Sequence, residues 1–223
     1  MSKKNMTYCD VRKNEEINTY IRQADAALSA LGYTEHSFAH VTMVAEKAGY
    51  ILQTLGYSER NVELAKIAGY LHDIGNLVNR IEHSQSGAVM AFRILDHLNF
   101  PPEEICTIVS AIGNHDEGTG VPVSPLAAAL ILADKSDVRR NRVRNEDIST
   151  FDIHDRVNYS VTNAELMIDD DHKTIQLTLA IDTEYGSVMD YFEIFLDRMI
   201  LCRKAAERLG LQFKLVINDH PLI

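Results

Sequence analysis

The chain has 223 residues, which is long enough to bury a full core and suits one principal domain with an appended part. A formal net charge of -10 repels a nucleic-acid polymer from the molecule as a whole, while a small phosphorylated substrate answers to the charge of its own site. Cys9, Cys106 and Cys202 are widely spaced without a Cys-x-x-Cys pair, which excludes a disulfide framework and a thiolate zinc site. No run approaches the roughly 20 apolar residues a membrane span needs, and the start, Met-Ser-Lys-Lys-Asn-Met-Thr, has lysines but no apolar stretch behind them. The expectation is a cytoplasmic protein with no membrane partner.

Residues before about 12 are expected to be frayed. Ile17, Ile21, Ala24, Ala27 and Leu28 fall at helical intervals and predict a helix from Glu15 to about Leu31, stopped at Gly32. A second helix runs from about Ser37 to Leu55, with Val41, Val44, Ala48 and Ile51 on one side and His40 in its first turns. A third follows the N-cap Ser58 and ends at Gly75, so that His72-Asp73 occupies its last turn. A fourth, from about Ser84 to Leu98, starts beside His83, and a fifth opens at Pro101-Pro102-Glu103-Glu104 and closes at Asn114-His115. Ser124-Pro125 caps and opens a sixth, apolar helix that delivers Asp134.

Beyond residue 145 the period changes to two. Val157 to Val161, Ala164 to Ile168 and Thr174 to Ile181 alternate around Asp169 to Lys173, a β-hairpin pattern. An amphipathic helix from Val188 to Leu209 and a closing strand from Phe213 to Ile217 follow, and the apolar stripe of that helix hints at a homodimer surface. The fold class is therefore mainly α: a helical bundle over residues 12–145 and a small α+β segment, made of hairpin, long helix and closing strand, packed on it over 146–223.

The chemistry lies in the histidines and aspartates at helix ends. Neutral imidazole with ionised carboxylate suits Mn, Fe, Zn and, with more oxygen, Mg. His72 and Asp73 are adjacent at a helix terminus and cannot complete a shell alone; His40 and Asp134 would add ligands from other helices. A second ion would be held by His83 and His115 with Asp73 bridging, as in two-metal hydrolases. Lys135, Arg139, Arg140, Arg142 and Arg144 follow closely. Lys135, Arg139 and Arg142 share a helical face, and are candidates to clamp phosphate or to form a solvated helix end.

Bland readings apply elsewhere. His36, one turn before His40, competes with it but has the less buried position. His154-Asp155 repeats the key dipeptide in what reads as a solvated loop, and His97, His172 and His220 have no motif support. Asp169 to Asp171 read as a charged turn, and Gly118-Thr119-Gly120 as a plain one.

The order His40, then Leu71-His72-Asp73-Ile74-Gly75, then Ala133-Asp134-Lys135-Ser136-Asp137 resembles the HD-domain superfamily of metal-dependent phosphohydrolases, over about residues 35 to 140. With His83 and His115, and the segment from Asn114 to Pro122, the chain is similar to the binuclear subset, including the HD-GYP type. It departs from that type at Asn114, Val121 and Asn76, where histidine, tyrosine and lysine are common. The resemblance implies an HD-type helical bundle and one or two divalent ions on His40, His72, Asp73, His83, His115 and Asp134. Asp73, His115 and Lys135 would carry catalytic roles, with Arg139 and Arg142 on the substrate. The implied activity is phosphohydrolysis of a nucleotide or other small phosphorylated metabolite through a metal-bound hydroxide. The alternatives are a catalytically weak metal- and nucleotide-binding sensor that regulates a partner protein, and a helical scaffold stabilised by metal.

Overall fold

The computed structural model describes residues 6–222. Its helices are α1 (Tyr8–Arg12), α2 (Glu15–Ala30), α3 (Phe38–Thr54), α4 (Glu59–Leu71), α5 (His83–His97), α6 (Pro102–Gly113), α7 (Pro125–Lys135), α8 (Ile153–Ser160) and α9 (Val188–Arg208). The strands are β1 (Val161–Ile168), β2 (Thr174–Ile181), β3 (Gln212–Ile217) and β4 (His220–Pro221). The expected architecture, a helical bundle with a small α+β segment, is the one observed. Buried side chains from Tyr8 to Ile217 form one continuous core.

Local chemistry sets the helix starts. Ser58, Ser124 and Ser187 each accept a hydrogen bond from the backbone N–H three residues on, and Ser187 with Asp190 completes a capping box. Helix α7 is apolar on every side, with Leu126 through Ala133 all buried, so it can only run through the middle of the protein. Helix α9 covers it with Tyr191, Phe195, Met199, Cys202 and Ala205, each buried. Full burial of Tyr191 or Phe195 contributes on the order of 2 kcal/mol each. These residues of the α9 stripe pack inside the chain, while Met189 and Leu196 of the same helix stay exposed.

Two glycines set the distances on which the site depends. A Cβ on Gly69 would lie 2.7 Å from the Ala45 Cα, so only glycine lets α4 press against α3 at this crossing. A Cβ on Gly75 would lie 2.0 Å from the His83 carbonyl oxygen and 2.4 Å from the Gly87 nitrogen. Gly75 sits in the 3-10 turn Ile74–Leu77, directly after His72-Asp73. The close approach docks that turn against the start of α5.

Three expectations fail for identifiable reasons. The residues before 12 are ordered from Met6: Thr7 and Asp10 form a capping box for α1, and Tyr8 and Val11 are buried. Residues 1–5 lie outside the described part. Val157 to Ser160 is helical, because Asp152 accepts from the Asp155 N–H and starts α8; this also moves His154-Asp155 from a loop onto a helix. The two-residue pattern begins only at Val161. The expected strand Phe213 to Ile217 is present as β3; it pairs parallel with β2, and Asn218 and Asp219, both at positive φ, turn the chain into the short β4, giving the order β1-β2-β3-β4.

Replacing Gly75 by Ala should destabilise the fold by about 1–3 kcal/mol through overpacking, read as a lower urea midpoint. An unchanged midpoint would show that the turn does not need this contact.

Candidate metal centre

The structure brings His40, His72, Asp73, His83, His115 and Asp134 together from five parts of the bundle. His40 comes from the first turn of α3, His72-Asp73 from the end of α4, and His83 from the first residue of α5. His115 follows α6, and Asp134 lies in the last turn of α7. All four imidazoles and Asp73 are buried.

The carboxylate of Asp73 divides the cluster. Its Oδ2 lies 3.4 Å from His40 Nε2 and 3.3 Å from His72 Nε2, while its Oδ1 lies 3.4 Å from His83 Nε2 and 4.0 Å from His115 Nε2. On the first side, Asp134 Oδ1 is 3.4 Å from His40 Nε2 and 3.6 Å from His72 Nε2. Asp116 faces the second side, 4.0 Å from His83.

Each ring is oriented from behind. The Nδ1–H of His72 donates to the Gly69 carbonyl at 2.7 Å, that of His83 to the Arg80 carbonyl at 3.1 Å, and that of His115 to the Ile112 carbonyl at 2.6 Å. His40 Nδ1 donates to Asp137 Oδ2 at 2.7 Å. With Nδ1 holding the proton, every Nε2 presents its lone pair to the cluster. Two such atoms meet at 3.2 Å on each side, His40 with His72 and His83 with His115. Lone pairs held that close repel unless a proton or a cation lies between them.

This donor set fits a divalent cation. His40, His72 and Asp134 have ligand atoms mutually within 4.8 Å, as do His72, Asp73 and His115. Nitrogen and oxygen donors without thiolate suit Mn, Fe, Zn or Mg.

Burial opposes charge on His72, yet Asp73 and Asp134 overcome it and raise its pKa to about 10. Burial and Arg142 likewise oppose a charge on His40, and Asp134, Asp137 and Asp73 raise its pKa on balance. Burial keeps His83 and His115 below the usual imidazole value, with nearby Arg80 for His83 and His72 for His115 adding to it. Burial would lift Asp73 and Asp134, but His72 and His40 hold the first, and Lys135 and the same histidines the second, well below the carboxylate range.

The basic run after Asp134 is not one helical face, because α7 ends at Lys135, Arg139 is extended and Arg140–Arg142 form a 3-10 turn. Lys135 Nζ lies 2.8 Å from Asp134 Oδ2 and 2.6 Å from Glu117 Oε2. Arg139 pairs with Asp137 and Glu35, Arg140 stacks on Tyr159, and Arg144 pairs with Asp25. Arg139 is therefore not brought into the cleft; Arg142 is.

That cleft, of about 450 Å³, adjoins a small cavity lined by Asp73, His83, Asp134 and Lys135. His36, Arg80, Arg142 and Arg198 line both. His36 thus stands at the entrance, and His40 in the cluster.

Sequence reasoning missed Arg80, Asp137, Glu117 and Arg198. Arg80 and Asp137 each lie three residues from a candidate ligand, which is a usable signal. Arg198 lies on α9 and pairs with Glu117 at 2.9 Å; nothing local in the sequence marks it.

Metal binding should expel the proton that His72 carries in the ion-free protein. Apparent affinity should then rise with pH, about tenfold per unit for each proton displaced, until pH passes the raised pKa of His72. Calorimetry in two buffers of different ionisation enthalpy measures the release. A pH-independent affinity would contradict this assignment of protons.

The HD domain family model matches residues 37–140. An uncharacterised protein of Methanocaldococcus jannaschii is 28% identical over 205 residues, covering 81% of this chain and 78% of its own length. Ribonuclease Y of Fervidobacterium nodosum is 33% identical over 122 residues, 53% of this chain and 21% of the ribonuclease. That of Thermosipho melanesiensis is 34% identical over 119 residues, 53% and 22%. The chain thus spans about a fifth of the length of these ribonucleases. A crystal structure named for a predicted HD superfamily hydrolase, from an uncultured Thermotogales bacterium, aligns over 56% of this chain and 67% of its own, with TM-score 0.45 and 24% identity. All six clustered side chains fall inside residues 37–140, the part of the chain that matches the HD domain.

Proposed function

We propose that the protein is a metal-dependent phosphohydrolase that cleaves a phosphate ester of a small metabolite, with nucleotides among the candidates. The observation that carries this reading is the Asp73 carboxylate between two imidazole clusters, at the inner end of a cleft where three arginines gather. His40, His72, Asp73 and Asp134 would hold one divalent ion, and His83, His115 and Asp73 a second. Such ions supply Lewis acidity, lowering the pKa of bound water from 15.7 toward about 7 and neutralising phosphoryl charge.

The chain's own residues do the rest. Arg80, Arg142 and Arg198 line the entrance and would bind and orient the phosphoryl oxygens. Burial favours a neutral Lys135, but Asp134 and Glu117 raise its pKa above the ordinary value. It keeps its proton at neutral pH and serves as a fixed positive charge rather than a proton donor. Asn76 donates to Asp73 Oδ1 at 3.0 Å and so steadies the shared carboxylate.

The ribonuclease name of the longer relatives supports phosphate-ester chemistry but not a polymeric substrate. The shared stretch is a fraction of those proteins, and a net charge of -10 works against a polyanion. Among the described residues no helix is long and apolar enough to cross a membrane.

Metal-loaded protein offered a panel of phosphomonoesters, nucleotides and cyclic dinucleotides should release product from at least one. His72→Ala and Asp73→Asn should each lower that rate by about 100-fold or more while the fold survives by circular dichroism. No product from any ester, or a rate indifferent to both substitutions, would contradict the proposal.

A further inference from the structure

The cleft has opposite charge at its two ends. Arg80, Arg142 and Arg198 stand where it meets the candidate metal centre. Arg142 is 4% exposed; its Nε donates to the Glu35 carbonyl and its Nη1 to the Asp137 carbonyl, with the Asp137 carboxylate 3.5 Å from Nη1, while its Nη2 makes no hydrogen bond among the described residues. Three guanidinium groups gathered beside the inner cavity favour an anion there.

Asp152 and Asp155 line the cleft but not the inner cavity, and both come from the start of α8. Neither forms an ion pair with a cation among the described residues. Asp152 Oδ1 accepts from the Asp155 N–H at 2.8 Å, and Asp155 Oδ2 receives only a long contact, 3.4 Å, from Asn145. Two carboxylates at the outer end of a cleft whose inner end is cationic accept hydroxyl donors and repel anions. Tyr33 adds an apolar ring face to the same cleft.

We infer that Asp152 and Asp155 form a specificity filter: the cleft takes a phosphate monoester with a hydroxyl-bearing far end and rejects ligands with a second anionic group. The filter rests on the proposed hydrolase reading for the position of the phosphate. It assigns a role to the α8 part of the chain, outside the stretch that matches the HD family. The shared chemistry is a vicinal diol on a ring carrying one phosphate, supplied either by a sugar phosphate or by a nucleoside monophosphate.

The test is calorimetric titration of the Mn-loaded full chain with two pairs of probes, alongside turnover of each. One pair is ribose 5-phosphate and ribose 1,5-bisphosphate; the other is adenosine 5′-monophosphate and adenosine 3′,5′-bisphosphate. In at least one pair the monophosphate should bind about tenfold or more tightly than the bisphosphate, and the pair that does so identifies the source. The double variant Asp152→Asn, Asp155→Asn keeps the helix cap, because asparagine caps as well as aspartate. It should narrow that ratio toward one by improving bisphosphate binding, with the affinity for inorganic phosphate unchanged. Bisphosphates binding as tightly as monophosphates in the unaltered protein, or a ratio unmoved in the double variant, would overturn the filter. Discrimination in binding without turnover would leave the filter standing and overturn the hydrolase; turnover of mono- and bisphosphates alike would do the reverse.

Discussion

Four imidazoles with their lone pairs turned inward, with the carboxylates of Asp73 and Asp134 among them, are unstable neighbours without positive charge between them. The Nε2 atoms of His40 and His72 are 3.2 Å apart, and so are those of His83 and His115. The packing of α3, α4, α5 and α7 holds them there against that repulsion. Gly69 and Gly75 permit the close crossings, α7 is buried on every side to deliver Asp134, and backbone carbonyls or Asp137 fix each ring from behind. Without an ion, a proton on His72, whose pKa Asp73 and Asp134 raise to about 10, relieves the repulsion on its side, and the carboxylates around His40 shift its pKa upward as well. A divalent cation relieves it better, because it adds charge and accepts several lone pairs at once.

The helical bundle was legible because its signals are local. Ser58, Ser124-Pro125 and Pro102 mark helix starts, and the apolar spacing of Val41, Val44 and Ala48 put His40 rather than His36 toward the interior. The six clustered side chains could be singled out since each stands at or near a helix end, and helix ends of a bundle converge. What failed depended on competition between patterns or on distance. Val157 to Ser160 satisfies a two-residue alternation, and the cap at Asp152 decided for helix. The basic residues after Lys135 read as a phosphate clamp on a continuing helix, but Arg139, Arg140 and Arg144 each tie the chain to a separate partner. Arg198 reaches the entrance from 64 residues beyond Asp134 in sequence, a contact that only the packing of α9 on α7 reveals.

The C-terminal segment is therefore more than a cover. Through α9 it supplies an entrance arginine, and the Glu117 carboxylate lies between that arginine and Lys135. Through α8 it supplies the acidic outer wall of the cleft. The bundle holds the groups suited to metal chemistry, and the segment after it shapes what can approach them.

Crystals of the Mn-loaded protein, with diffraction recorded on both sides of the manganese absorption edge, would decide whether the cluster is a metal centre. The account predicts anomalous density on the first side of Asp73, bounded by His40, His72 and Asp134, and a second peak bounded by His83 and His115. Density elsewhere on the surface, with the six side chains hydrogen-bonded to one another and free of metal, would contradict it.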